Sequence, residues 1–228
     1  MLEFNLNIQF QNKFRTSHIR CSANVESGKT LAIYGPSGSG KSTVLKMLAG
    51  LTDPDAGEIY FKENAWFLNK TLVKPRKRNV GFVFQEFNLF PNMTVEGNLR
   101  YASKGKQVPE FANALIEKFG LQNTRASLPK HLSGGEQQRI SLIRSLCQEP
   151  DMLLLDEPFS ALDDETTSLL VMELKKIQSS SNMTIVLVTH RKEIVESMAT
   201  SVAMLKEGEA SELISNKLFR DTIVSVRT

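Results

Sequence analysis

A glycine-rich loop constrains the fold of this chain more than any other feature of its sequence. The loop follows the apolar residues 31–34, precedes a helix-like segment, and reads Gly35, Pro36, Ser37, Gly38, Ser39, Gly40, Lys41, Ser42, Thr43. It matches the G-x-x-x-x-G-K-[ST] pattern, in which glycines let successive backbone N–H groups face a phosphate at the positive end of a helix. We expect Lys41 to reach the β- and γ-phosphates of a nucleotide and the Ser42 hydroxyl to bind Mg²⁺, which prefers oxygen ligands.

The apolar runs predict an α/β fold with a mostly parallel sheet. Short β-rich runs that are apolar on both faces occur at 31–34, 80–84, 152–155, 185–188 and 202–205. Such strands are typical of a parallel sheet covered by helices. Residues 1–10 alternate instead between apolar and polar, as a half-buried strand does and a signal peptide does not, and residues 58–61 follow a turn signal. These two segments predict a small antiparallel β subdomain beside the main sheet.

The strand pattern is interrupted between residues 85 and 150. Helical spacing appears there in Phe111, Leu115 and Phe119, and again in Ile140, Ile143 and Cys147. We therefore expect one nucleotide-binding domain over 1–228, in which 86–149 is an inserted helical subdomain and 1–85 with 150–228 form the core. A further helix is expected over 164–178, followed by a turn at 179–182.

Composition limits the kinds of partner. The 28 basic and 25 acidic residues leave a net charge of +3, too small a surplus to indicate a nucleic-acid partner. The two cysteines are far apart, which excludes a disulfide framework and favours a reducing compartment. No apolar run approaches the roughly 18 to 20 residues of a membrane-spanning helix. We therefore expect any membrane association to come through a partner.

Two carboxylates follow the apolar run 152–155. Asp156 and Glu157 would stand at the carboxyl edge of the parallel sheet, where ligands bind. We expect Asp156 to support Mg²⁺ and Glu157 to polarise the water that attacks the γ-phosphate. The alternative is that these residues merely begin a turn, which the phosphate loop makes the weaker interpretation.

A second candidate anion site lies at residues 132–139, Leu-Ser-Gly-Gly-Glu-Gln-Gln-Arg. Ser133, Gly134, Gly135 and Glu136 would open a helix with exposed N–H groups and a hydroxyl, although a plain helix cap would use the same residues. This run resembles the signature sequence of ATP-binding cassette proteins, and the resemblance covers nearly the whole chain.

The resemblance assigns roles to further residues. It implies that Gln85 senses Mg²⁺ and the attacking water, that residues 160–163 follow the carboxylates in the expected order, and that His190 contacts the γ-phosphate. ATP and Mg²⁺ are the implied cofactors. A second ATPase subunit is the implied partner, in a head-to-tail homodimer in which Ser133 and Gly135 of one copy complete the site around Lys41 of the other.

Two positions depart from the family pattern or leave it open. The aromatic residue expected to stack on adenine could be Phe14 or Phe10. Arg191 stands where a related transporter ATPase usually has an acidic residue after the histidine. The second difference affects local switching and leaves the catalytic set intact.

Residues 74–91 are similar to ATPases of bacterial importers, and most resemble molybdate-type subunits. The resemblance implies integral-membrane permease subunits, an external substrate-binding protein, and a peripheral location at the cytoplasmic face of the membrane. Sulfate, iron and polyamine import are the other cargo hypotheses. Phe87, Leu89, Phe90 and Met93 become candidates for coupling to the permease, or are simply core. Fewer than about 40 residues follow His190, so we expect no carboxyl-terminal regulatory domain.

Two other classes of function use the same motifs. A cassette protein acting in DNA repair or on ribosomes would carry coiled-coil insertions or two cassettes in one chain, and neither pattern is present in this sequence. An inactive binding module is disfavoured because Lys41, Asp156, Glu157 and His190 all occur. The sequence therefore favours an ATP-hydrolysing subunit that powers a separate membrane transporter.

Overall fold

A computed structural model describes residues 1–11, 16–105, 107–211 and 213–225. The strands are β1 Leu2–Gln11, β2 Thr16–Val25, β3 Thr30–Tyr34, β4 Ala56–Phe61, β5 Asn64–Leu68, β6 Val80–Val83, β7 Met152–Asp156, β8 Thr184–Thr189, β9 Ser201–Lys206, β10 Glu209–Ala210 and β11 Ile214–Ser215. The helices are α1 Lys41–Ala49, α2 Val95–Ala102, α3 Glu110–Lys118, α4 Gly134–Leu146, α5 Asp164–Ser181, α6 Lys192–Met198 and α7 Asn216–Ser225. The α/β class is confirmed.

Five of the strands form the parallel part of the sheet, in the order β9-β3-β8-β7-β6. All residues of β7 and β8 are buried. Along β7, Leu153 and Leu155 pack with residues of α4 and α5, whereas Met152 and Leu154 pack with residues of α1 and β1. Both faces of the strand are covered, which explains its continuous apolar sequence.

The antiparallel strands continue the same sheet. β1 pairs with both β2 and β4, and β4 pairs with β5, all antiparallel. The two-residue strand β10 pairs with Arg20 of β2 on one side and with β9 on the other. The small antiparallel region expected beside the main sheet is thus joined to it through β10.

Helices α2, α3 and α4 lie between β6 and β7 in the chain and share an apolar core. Leu99, Ile116, Ile140 and Ile143 are fully buried in it. The helical prediction for this part of the sequence is confirmed. Among the described residues, no helix is both long enough and apolar enough to cross a membrane.

Helix α5 is longer than the sequence predicts. The prediction of a turn at 179–182 is wrong. The helix continues through Ser181, and within this segment only Asn182 adopts the left-handed conformation, with φ of +55°. The hydroxyl groups of Ser179 and Ser181 donate to the carbonyls of Lys175 and Ile177, at 2.8 and 2.7 Å. Serine hydroxyls that bond back to the preceding turn let the helix accommodate residues that otherwise favour turns.

Candidate active site

The glycine-rich loop connects β3 to α1 at the carboxyl edge of the parallel strands. Gly40 precedes the helix with φ of +101°, a conformation that favours glycine. At Gly35 a Cβ atom would lie 2.1 Å from the Leu205 carbonyl oxygen, so a side chain cannot be accommodated there. No side chain caps the amino terminus of α1. The first turn of this helix therefore suits an anion that accepts hydrogen bonds from its N–H groups.

Lys41 is buried beneath this loop. Its Nζ donates to the carbonyl oxygens of Gly35 and Pro36, at 2.9 and 2.8 Å. Burial lowers the pKa of the Lys41 ammonium, while the negative charges of Glu157 and Asp156 raise it. The hydroxyl of Ser39, also in the loop, is buried and has no hydrogen-bond partner in the part of the chain that the structure describes. The loop thus holds a buried cation and a free hydroxyl where phosphate oxygens would bind.

Ser42 and Asp156 meet below the loop. The Ser42 hydroxyl donates to Oδ1 of Asp156 at 2.9 Å. Burial raises the pKa of the Asp156 carboxyl, and the hydrogen bond from Ser42 opposes this shift. A hydroxyl beside a partly desolvated carboxylate supplies two oxygen ligands of the kind Mg²⁺ accepts, while leaving positions for water and phosphate.

Glu157 follows Asp156 with an unusual backbone. Its φ is +48°, uncommon for a residue with a side chain, and its N–H donates to the Val188 carbonyl of β8 at 3.0 Å. The carboxylate is held at both oxygens: Oε1 lies 2.8 Å from Nδ1 of His190, and Oε2 accepts from the Thr189 hydroxyl at 3.2 Å. Strained backbone of this kind is concentrated at functional sites.

Gln85 lies apart from this set. It is exposed two residues beyond β6, and it forms no hydrogen bond with the Lys41, Asp156 or His190 side chains among the described residues. The adenine-stacking candidates cannot be placed, since Phe14 and the Phe10 side chain lie outside the described part of the chain.

The second glycine-rich run begins helix α4 as a capping box. Glu136 N–H donates to the Ser133 hydroxyl at 3.3 Å, and Oε2 of Glu136 accepts from both the hydroxyl and the backbone N–H of Ser133 at 2.7 Å. The hydrogen bond from the Ser133 hydroxyl lowers the pKa of Glu136 most, and the bond from the Ser133 backbone N–H lowers it further. Ser133 and Gly134 are exposed. The plain cap and the anion site are therefore built from the same atoms.

Sequence reasoning missed Gln138. This residue is 1% exposed, its Nε2 donates to the Glu157 carbonyl at 3.1 Å, and its Oε1 accepts from the Ala161 N–H at 2.9 Å. One side chain thereby ties α4 to the loop after the carboxylates. Gln138 shares a helical face with the buried Leu142 and Ser145, and this periodicity was the available signal.

The fold and the loop define a mixed α/β nucleotide-binding domain with a phosphate loop. Residues 20–160 match a family model described as ABC transporter, and the chain belongs to that family.

Two solved structures are similar over most of the chain. One is the dimeric post-hydrolysis state of the ATP-binding cassette MJ0796 bound to ADP and Pi, with a TM-score of 0.83, 29% identity, and coverage of 95% of this chain and 99% of that one. The other is cbiO1 from Clostridium perfringens, part of the ABC transporter complex cbiONQ, with a TM-score of 0.78, 25% identity, and coverage of 99% and 92%.

Curated relatives are longer than this chain. The Fe(3+) ions import ATP-binding protein FbpC of Yersinia pestis is 40% identical over 197 residues, which cover 85% of this chain and 56% of the relative. The methionine import ATP-binding protein MetN 2 of Bacillus cereus is 41% identical over 202 residues, covering 86% and 59%. The match therefore spans little more than half the length of either relative.

Proposed function

We propose that this chain binds and hydrolyses ATP and thereby powers import through separate membrane permease subunits. The observation that carries the proposal is the Glu157 carboxylate, held between the Thr189 hydroxyl and the His190 ring at the edge of the sheet that also carries the phosphate loop. The similarity to a cassette bound to ADP and Pi supports the hydrolytic part.

Binding uses the loop between β3 and α1. The N–H groups of residues 37–43 and the Lys41 ammonium bind the β- and γ-phosphates, which requires Nζ to exchange its loop carbonyls for phosphate oxygens. Ser42 and Asp156 would hold Mg²⁺, and Gln85, in the segment after β6, would sense the ion and the attacking water. When bound, Mg²⁺ neutralises charge on the phosphates.

Hydrolysis needs an oriented water and an acceptor for its proton. Glu157 is assigned to both tasks, because its carboxylate is fixed at two oxygens and lies close enough to Lys41 to affect that residue's pKa. His190 orients the carboxylate and contacts the γ-phosphate. Phosphoryl transfer of this kind depends mainly on positioning and charge stabilisation, which these contacts provide.

A second copy of the chain completes the site. Ser133, Gly134, Gly135 and Glu136 of one copy bind the γ-phosphate held by Lys41 of the other, in a head-to-tail homodimer. The exposure of Ser133 and Gly134 supports this, as does the dimeric form of the similar cassette MJ0796.

Coupling to the permease falls to the inserted helical subdomain, residues 86–149. Leu89 is 8% exposed and packs in its core, so we remove it from the coupling candidates, and Phe87 is half-buried against the same core. Phe90 and Met93 are 38% and 36% exposed. We assign these two side chains to the permease contact, through which the subunit is held at the membrane.

Cargo is selected outside this subunit, by the permease and an external substrate-binding protein. Two relatives of nearly equal identity are named for import of Fe(3+) ions and of methionine. Neither name refers to molybdate, the first cargo hypothesis from the sequence, whereas iron was among the alternatives.

The decisive experiment measures ATP binding and hydrolysis separately. We expect Lys41→Ala to weaken ATP binding, and Glu157→Gln to keep binding while slowing turnover by orders of magnitude, because only the glutamate acts on the transition state. The proposal would be refuted if the Glu157→Gln variant, purified and coupled to the permease, hydrolysed ATP at the parent rate.

A further inference from the structure

Arg191 holds the loop that follows Glu157. Its Nη1 donates to the Phe159 carbonyl at 3.3 Å and its Nη2 lies 2.9 Å from Oδ1 of Asp164, the first residue of α5. One guanidinium therefore spans the loop from its beginning to its end, at residues 159 and 164.

The same arginine is joined to the residues that hold the Glu157 carboxylate. Its backbone N–H, which any residue other than proline would supply, donates to the Thr189 hydroxyl at 3.0 Å, and that hydroxyl donates to Oε2 of Glu157. His190, its neighbour in the chain, contacts Oε1. The end of β8 and the loop after β7 are thus connected on both sides of the carboxylate.

Gln138 fixes the opposite side of this loop, through the Glu157 carbonyl and the Ala161 N–H. Gln138 is fully buried, whereas the Arg191 side chain is 26% exposed and that of Asp164 is 95% exposed. An ion pair with so exposed a partner contributes little to stability. The contact therefore fixes where the loop lies more than it stabilises the fold.

The geometry of these two contacts suits a forked donor. A guanidinium presents several N–H groups in a fixed plane, so it bonds a carbonyl and a carboxylate together. An ionised acidic side chain at 191 could donate to neither group and would repel Asp164.

We propose that Arg191 is a positioning residue for hydrolysis, which fixes the loop at 159–164 relative to the Glu157–His190 pair. The inference rests on the proposed function. Without the guanidinium, the Phe159 carbonyl and Asp164 are released, and the Glu157 carboxylate loses its alignment with the attacking water. Because Arg191 does not contact the phosphate loop, ATP binding is unchanged.

The test compares Arg191→Ala, Arg191→Lys and Asp164→Asn with the control Lys192→Ala. Lys192 is the next residue and pairs with Glu196 at 3.2 Å within α6, so the control removes a neighbouring cation without touching the loop. The measurements are kcat and KM for ATP, nucleotide affinity, and Tm of the purified full chain.

We expect Arg191→Ala to lower kcat about 10-fold, since small misplacements of a reacting group cost up to ~100-fold, with KM and Tm unchanged. Arg191→Lys should recover part of kcat. The double variant with Asp164→Asn should lose no more than Arg191→Ala, because the two residues act through one contact.

Parental kcat in Arg191→Ala would overturn the inference, as would an equal loss in Lys192→Ala. If Arg191→Ala lowers both Tm and nucleotide affinity, the Arg191→Lys variant decides the question. A lower kcat at the parental Tm in Arg191→Lys would support the positioning role. The parental kcat in Arg191→Lys would reject it. Should the unchanged protein hydrolyse ATP no faster than Glu157→Gln, the proposed function itself fails and the inference fails with it.

Discussion

The Nδ1 atom of His190 lies 2.8 Å from Oε1 of Glu157, so the histidine that follows β8 directly contacts the carboxylate that follows β7. The two strands are hydrogen-bonded neighbours in the parallel sheet, in which Asp156 is opposite Val188. The side chains are thus brought together by strand register, and they should act as a unit.

We expect His190→Ala to lower kcat about 10- to 100-fold, because the carboxylate loses one of its two holding contacts. Added to Glu157→Gln, the same change should cost little more, since residues that act as a unit are non-additive. A double-mutant cycle on single-turnover rates checks this. Fully additive losses would show that the contact has no role in hydrolysis.

Gln138→Ala should destabilise the protein. The part-buried Glu157 carbonyl and Ala161 N–H would lose their shared partner, at about 1 to 3 kcal/mol in total. Gln122→Ala is the control, because Gln122 is exposed and, among the described residues, its side chain donates only to the Glu117 carbonyl. Its effect should stay within about 0.5 kcal/mol. Denaturant unfolding measures both, and equal values would contradict the bridging role of Gln138.

Both thiols should be unreactive in the folded protein. Burial raises the pKa of Cys21 to about 12 and that of Cys147 to about 11. Since the thiolate is the reactive form, an aromatic disulfide reagent at pH 8 should label neither cysteine until denaturant is added, when two thiols per chain should react. Rapid labelling of the native protein would contradict the buried placement of β2 or of the α4 terminus.

Leu89 and Phe90 should separate stability from coupling. Leu89 is a core residue, so Leu89→Ala should lower the free energy of unfolding by about 2 to 5 kcal/mol.

Phe90 packs at the surface against Tyr101, with ring centroids 4.8 Å apart. Phe90→Ala should impair permease-coupled transport more than basal hydrolysis. Met172→Ala, an exposed apolar change on α5, is the control. Proportional loss of both activities in Phe90→Ala would make Phe90 a packing residue.

The sequence predicted the parts of the site that depend on local pattern. The phosphate loop is a contiguous motif, and β7 and β8 are continuous apolar runs because all of their residues are buried and both faces are covered. The carboxylates then follow directly from their position after β7. In contrast, β10 has two residues and no periodicity to detect, although it joins the antiparallel and parallel parts of the sheet.

Contacts between distant segments could not be predicted from the sequence. The bridge from Gln138 to Glu157 and Ala161 depends on how α4 packs against the loop after β7, and the Arg191–Asp164 pair depends on how α5 and α6 meet. Sequence reasoning noted Arg191 only as a departure from a pattern. The partner that gives the arginine a role is 27 residues away in the chain.

ATP should hold two copies of the chain together. The Glu157→Gln chain with ATP and Mg²⁺ should shift toward a dimer on sizing, because ATP becomes part of the interface and stabilises association by mass action. Ser133→Arg added to it should abolish the shift while preserving nucleotide binding by the monomer, since a large side chain at this exposed position would block the facing γ-phosphate.

The Ser133→Arg change also removes the cap of α4, worth about 1 kcal/mol. Ser133→Ala loses that cap without adding bulk, and Ser133→Thr keeps the hydroxyl, so these two variants separate helix stability from obstruction. We expect Ser133→Thr to dimerise like the parent and Ser133→Ala to dimerise more weakly. Ser133→Arg should not dimerise. The head-to-tail arrangement would be wrong if Ser133→Arg dimerised as readily as its parent, or if nucleotide left association unchanged even with the permease present.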